Sequence, residues 1–129
     1  MNLIRALEAL HFDTCEEYLY VKRRFAEETS KGEIAETLFK KRVMMQAMWD
    51  GLWKINFPKI CNLSASEILA VVRNVENELT DEIVMAAEGI AETGELNSTD
   101  AMMRQVAALR IAGKAKLVKQ LRCIIKHAE

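Results

Sequence analysis

Apolar residues recur along this chain at intervals of three and four, the spacing that gathers them on one face of an α-helix. Leu3, Leu7 and Leu10 share the face of a short first helix. Asp13, with Glu16 three residues on, reads as a fresh start. The next stripe is Cys15, Tyr18, Leu19, Lys22, Phe25 and Ala26, with the aliphatic stem of Lys22 closing a gap. Ser30 and Glu33 then form a capping-box pattern. A long third helix is expected from about Lys31 to Asn56, stopping before Pro58 because the residue preceding a proline avoids helical geometry.

The clearest start signal is "LSASEI". Ser64 is the expected N-cap, Glu67 its capping-box partner, and Leu63 can pack on Ile68 as a hydrophobic staple. Ile68, Val72, Val75 and Leu79 follow as one seam. Thr80 is the expected cap of a fifth helix carrying Ile83, Ala87, Ile90 and Ala91 and ending at Gly94. "NSTD" opens a sixth with Met102, Met103, Val106 and Leu109. Gly113 either divides it from a seventh or sits as a weak point in one long helix. The final stripe is Leu117, Val118, Leu121, Ile124 and Ile125. The expected fold is all-α: an irregular bundle of five to seven helices in a single domain spanning residues 1–129, with the loop at 57–62 the one place where two layers would divide.

The stretch "RVMMQAMWDGLWKINFP" in the third helix departs from an ordinary amphipathic pattern. At 100° per residue, Met44, Met48 and Ile55 fall within about 40° of one another, and Leu52, Met45, Trp49 and Trp53 widen the apolar arc to about 180°. A helix on the flank of a bundle needs only about 100°. One reading is a central helix packed on two sides. The other leaves the Met45, Trp49 and Trp53 side open to a partner, since methionine adapts to irregular surfaces and tryptophan is enriched at interface hot spots.

Composition supports the helical reading and narrows the setting. Half of the 129 residues are apolar, 29% are charged, and one proline and five glycines interrupt a chain rich in helix formers. The three cysteines, Cys15, Cys61 and Cys123, are odd in number and lack C-x-x-C spacing, which argues against a disulfide framework or a thiolate zinc site. With no signal-peptide pattern at the start and no run of about 18 apolar residues, a cytoplasmic protein without a membrane span is expected.

The net charge of −1 conceals segregation. Asn62 to Asp100 holds nine acidic residues and one basic one, Arg73, whereas Ala101 to Ala128 holds seven basic residues and no acidic one. Arg104, Lys116, Lys119, Arg122 and Lys126 are therefore candidates for a basic partner-binding face. Three arrangements compete: neutralisation within the molecule, binding of an anionic partner, or contact between subunits. A nucleic-acid ligand finds limited support. Ile90 to Leu109 has the outline of a helix–turn–helix, yet the usual Ala-x-x-x-Gly spacing fails, with Glu95 four residues after Ala91 and Gly94 one residue early. No aromatic residue interleaves the C-terminal basic positions to stack on bases.

Candidate catalytic chemistry is sparse. Glu8 and His11 form a single Glu-x-x-His pair, where a di-iron bundle needs two, and position 124 is isoleucine where His127 would need its glutamate. Neither a nucleophile elbow nor a phosphate-binding glycine loop is present. Neighbouring acids such as Glu16 and Glu17 diverge on a helix surface rather than converging on a substrate. The expectation is a non-enzymatic protein–protein interaction module (adaptor, inhibitor or small subunit), with a protein partner or homo-oligomer and no metal or small-molecule cofactor. The alternative is a nucleic-acid-binding regulator using the basic C-terminal helices.

Overall fold

The computed structural model describes residues 2–28, 32–92 and 98–128. Among them are five helices and no strand: α1 (Leu3–Glu27), α2 (Glu33–Leu52), α3 (Phe57–Ile60), α4 (Ala65–Glu92) and α5 (Ser98–Ala128). None is long and apolar enough to cross a membrane.

Asn2 opens α1, its side-chain oxygen accepting the Arg5 N–H at 3.2 Å. The break expected at Asp13 does not exist. Asp13 lies exposed on an unbroken helix, and the inward register is Leu3, Leu7, Thr14 and Val21. The second stripe was therefore offset: Cys15, Tyr18 and Phe25 are half-buried, while Leu19, Lys22 and Ala26 face outward. At the start of α2 the observed N-cap is Gly32, in the left-handed region at φ 127°, and Ser30 lies outside the described residues. The chain leaves α2 after Leu52 through a tight turn. Pro58 does not end the long helix but sits in the first turn of α3, where it needs no N–H, and Asn56 caps that turn by accepting the Lys59 N–H at 3.1 Å. The segment 57–62 is thus partly helical, and Ile60 pins it into the core.

The α4 start matches its capping box. Ser64 Oγ accepts the Glu67 N–H at 3.3 Å, and Glu67 Oε1 accepts the Ser64 N–H at 3.1 Å. That second bond holds the Glu67 carboxyl below its usual pKa range. Thr80, by contrast, caps nothing: its hydroxyl donates back to the Glu76 carbonyl at 2.8 Å within a continuous α4. The termination expected at Gly94 falls outside the described residues. α5 runs straight through Gly113.

Three cross-chain registers define the topology. Glu17 against Lys41 and Phe25 against Phe39 set α1 antiparallel to α2. Glu76 against Arg122 and Glu82 against Lys114 set α4 antiparallel to α5. Gly113 against Met44, and Gly51 against Leu117, set α5 parallel to α2. The helices lie in the order α1, α2, α5, α4, with α1 reaching α4 only lightly. Gly113 has a packing reason, since a Cβ there would stand 2.3 Å from the Met44 carbonyl oxygen. The two helices meet there backbone to backbone.

The core draws on all five helices but fills only part of their length. On α2 its buried side chains begin at Met45, on α4 they end at Leu79, and on α5 they begin at Leu117. Beyond those points, Val21 of α1 apart, the two helix pairs continue with half-buried and exposed side chains, Val84, Met85, Met102 and Met103 among the latter. Met102 and Met103, read from the sequence as the first apolar positions of a sixth helix, lie in this open half.

Candidate interaction surface

The Met/Trp stretch divides between core and surface. Met48, Leu52 and Ile55 are buried as expected, whereas Met44 is half-buried, its carbonyl turned to Gly113. Met45, expected on the open side, is 2% exposed and belongs to the core. The reason is that α2 is flanked on both sides, by α1 and by α5, so an arc wider than one neighbour is mostly covered within the molecule. Trp49 is half-buried and Trp53 is 65% exposed.

The turn after Leu52 places Trp53 outside. Trp53 N–H donates to the Asp50 carbonyl at 3.2 Å, Lys54 N–H to Gly51 at 3.2 Å and Ile55 N–H to Leu52 at 3.0 Å, a tightened last turn. Leu52 and Ile55 stay inside while the indole between them swings to the rim. There it meets Trp49 edge-on with centroids 5.5 Å apart, and His11 of α1 at 6.2 Å. His11 also packs on Trp49 at 4.8 Å and on Phe57 at 4.5 Å. Two rings, Trp49 of α2 and His11 of α1, thus pack on the Trp53 indole, and His11 joins Phe57 to the same cluster. His11 and Phe57 carried no local signal for this role, because only the α1–α2 pairing and the α3 turn bring them to the tryptophans.

Trp53 is also one wall of a groove of about 520 Å³ between α2, α4 and α5. Asp50, Lys54, Glu82, Arg110 and Lys114 line it together with the aliphatic surface of Val43 and Leu79. Lys54 donates to Glu78 Oε1 at 3.2 Å and lies 3.4 Å from Glu82 Oε1. Burial pulls the Lys54 pKa down, but the hydrogen bond to Glu78 and the charges of Glu82 and Glu78 outweigh it, and the net shift is upward.

The basic candidates separate into two groups. Arg122 pairs with Glu76, and Arg104 donates to the Ile90 carbonyl at 2.9 Å, so both guanidiniums are engaged with α4. Lys114 also approaches Glu82, at 3.9 Å. Lys116, Lys119 and Lys126 are exposed on the outward side of α5 and make no ion pair among the described residues. Part of the segregated charge is thus neutralised between α4 and α5, and the three lysines remain presented to solvent. They do not lie in the groove beside Trp53.

No protein-family model, curated protein or solved structure matches the chain.

Proposed function

We propose that the chain is a non-enzymatic protein–protein interaction module, an adaptor, inhibitor or small subunit of a larger assembly, with Trp53 as its anchor. The supporting observation is a large apolar side chain, 65% exposed, that packs edge-on against the rings of Trp49 and His11. An immobilised indole loses little rotamer freedom on binding, which is the property that makes aromatic residues effective hot spots. The charged groove beside it adds donors and acceptors around an apolar centre, the usual anatomy of a specific contact.

Affinity capture with the native protein and with Trp53→Ala, each with and without nuclease and read by mass spectrometry, tests the reading. A partner retained after nuclease treatment and lost with Trp53→Ala is expected. Recovery independent of Trp53 overturns the assignment of the anchor.

The second reading, a nucleic-acid-binding regulator, rests on Lys116, Lys119 and Lys126. It has fewer cations than the sequence offered, since Arg104 and Arg122 already have partners on α4. Its signature is an affinity that falls steeply with salt.

A further inference from the structure

Outside the Trp53 surface, the outward faces of α1 and α5 have complementary chemistries. On α1, Phe12 and Leu19 are seven residues apart and lie within about 20° of each other, and they are 65% and 51% exposed. Glu8 and Glu16, one turn to either side of Phe12, are exposed on the same face, with Asp13 and Tyr20 at its edge. Residues 8–17 contain four carboxylates and no lysine or arginine, and the nearest basic residues on either side are Arg5 and Lys22. Among the described residues only Glu17 of the four makes an ion pair, with Lys41.

The outward side of α5 has the opposite character. Ala101, Ala108 and Ala115 are exposed and Ala112 is half-buried, a seam of small side chains at intervals of three, four and seven. Lys116, Lys119 and Lys126 continue along it, and no acidic residue occurs from Ala101 to Ala128. A row of alanines lets another helix approach closely and leaves room for larger side chains from the other side.

We propose that the outward face of α1 docks on the outward face of α5 of a second copy of this chain. Charge selects this pairing over its alternatives. Two α5 faces would oppose lysine to lysine, and two central α1 faces would oppose carboxylate to carboxylate. The lengths also agree. The carboxylates from Glu8 to Glu16 span about 12 Å of helix and the lysines from Lys116 to Lys126 about 15 Å. In an antiparallel pairing with Glu16 opposite Lys116, Glu8 comes opposite Lys126 to within two residues, and Leu19 falls over Ala112 and Ala115. Because the two surfaces differ, the contact is heterologous and propagates from copy to copy unless the angle between the faces closes it. The contact does not involve Trp53.

Sedimentation of the full chain over a wide concentration range, at low and at high salt, tests the proposal. The native protein should gain mass with concentration and lose it at high salt. Glu8→Lys with Glu16→Lys should abolish the gain, and so should Lys116→Glu with Lys119→Glu. An equimolar mixture of the two double variants should recover it, because each contact between unlike variants is either native or charge-swapped. Trp53→Ala should associate like the native protein, which separates this surface from the anchor proposed above. All four substituted positions are exposed, and circular dichroism checks that the variants stay folded. A native protein that remains monomeric at every concentration overturns the proposal. So does association that survives both reversals, or a mixture that fails to recover it.

Discussion

The approach of α5 to α2 at Gly113 makes a sharp prediction for Gly113→Ala. A Cβ at that position would stand 2.3 Å from the Met44 carbonyl oxygen, 3.1 Å from its carbon and 3.0 Å from the Ala47 Cβ. A backbone carbonyl within a helix cannot rotate aside, so relief requires the two helices to part by about 1 Å, a gap that forfeits a quarter to a half of each dispersion contact along the seam. Overpacking of this kind costs about 1–3 kcal/mol. Against it stands the gain of about 1 kcal/mol for replacing glycine by alanine inside a helix. The clash falls at the upper end of its range because the obstacle is backbone, and a net loss of about 1–2 kcal/mol is expected. Gly89→Ala in α4 is the matched control. Nothing lies within 4 Å of its would-be Cβ, so only the propensity gain remains and stability should rise by up to about 1 kcal/mol. Gly51→Ala should fall between the two, since its obstacle is the end of the Leu117 side chain at 2.6 Å. Urea unfolding of the three variants beside the native protein gives the order directly. A Gly113→Ala midpoint equal to or above the native one, at unchanged slope, refutes the argument that this close approach limits stability.

Further outcomes follow from other positions. Ser64→Ala should cost about 1 kcal/mol in the same urea assay, through loss of the N-cap bond to Glu67. Leu52→Ala, at a site with no exposure, should cost about 2–5 kcal/mol, while Trp53→Ala should cost well below the roughly 3–5 kcal/mol of a buried tryptophan; equal losses in thermal melts would make Trp53 a core residue. Because the folded-state pKa of Glu67 is lowered by its bond from Ser64, its contribution is present above the ordinary glutamate range and lost as pH falls through the lowered value. Glu67→Gln should therefore lose less stability than the native protein between about pH 6 and pH 3. Fluorescence anisotropy with duplex and single-stranded probes should show no binding near physiological salt, where non-specific binders still reach about 10⁻⁴–10⁻⁶ M.

Local signals were legible where the residues that make them are also the residues that satisfy them. Ser64 and Glu67 bond each other across one turn, and no distant group can change that. Asp13 and Thr80 carry the same chemistry but sit inside helices, the first facing solvent and the second returning its hydroxyl to the preceding turn. Position in the helix, set by packing elsewhere, decided between cap and interior. The wheel of α2 identified a wide apolar arc but not which part of it would be covered. That depended on α5 approaching along Ala47 and Gly51 and on α1 approaching from the opposite flank, which buried Met45 and left Trp53 at the rim. The aromatic cluster was beyond reach for the same reason, since His11 and Trp49 are 38 positions apart in the chain.

The uneven distribution of the core also governs the time course of opening. Amides near Leu52, Leu79 and Leu121 are locked by side chains with no exposure and should exchange with deuterium only when the whole molecule unfolds. Those near the start of α2 and the end of α4 are secured by few buried neighbours and should exchange through smaller excursions at far lower free energy. The chain then behaves as two regimes joined along continuous helices, one persistent and one that opens and recloses many times within the life of a single folded molecule.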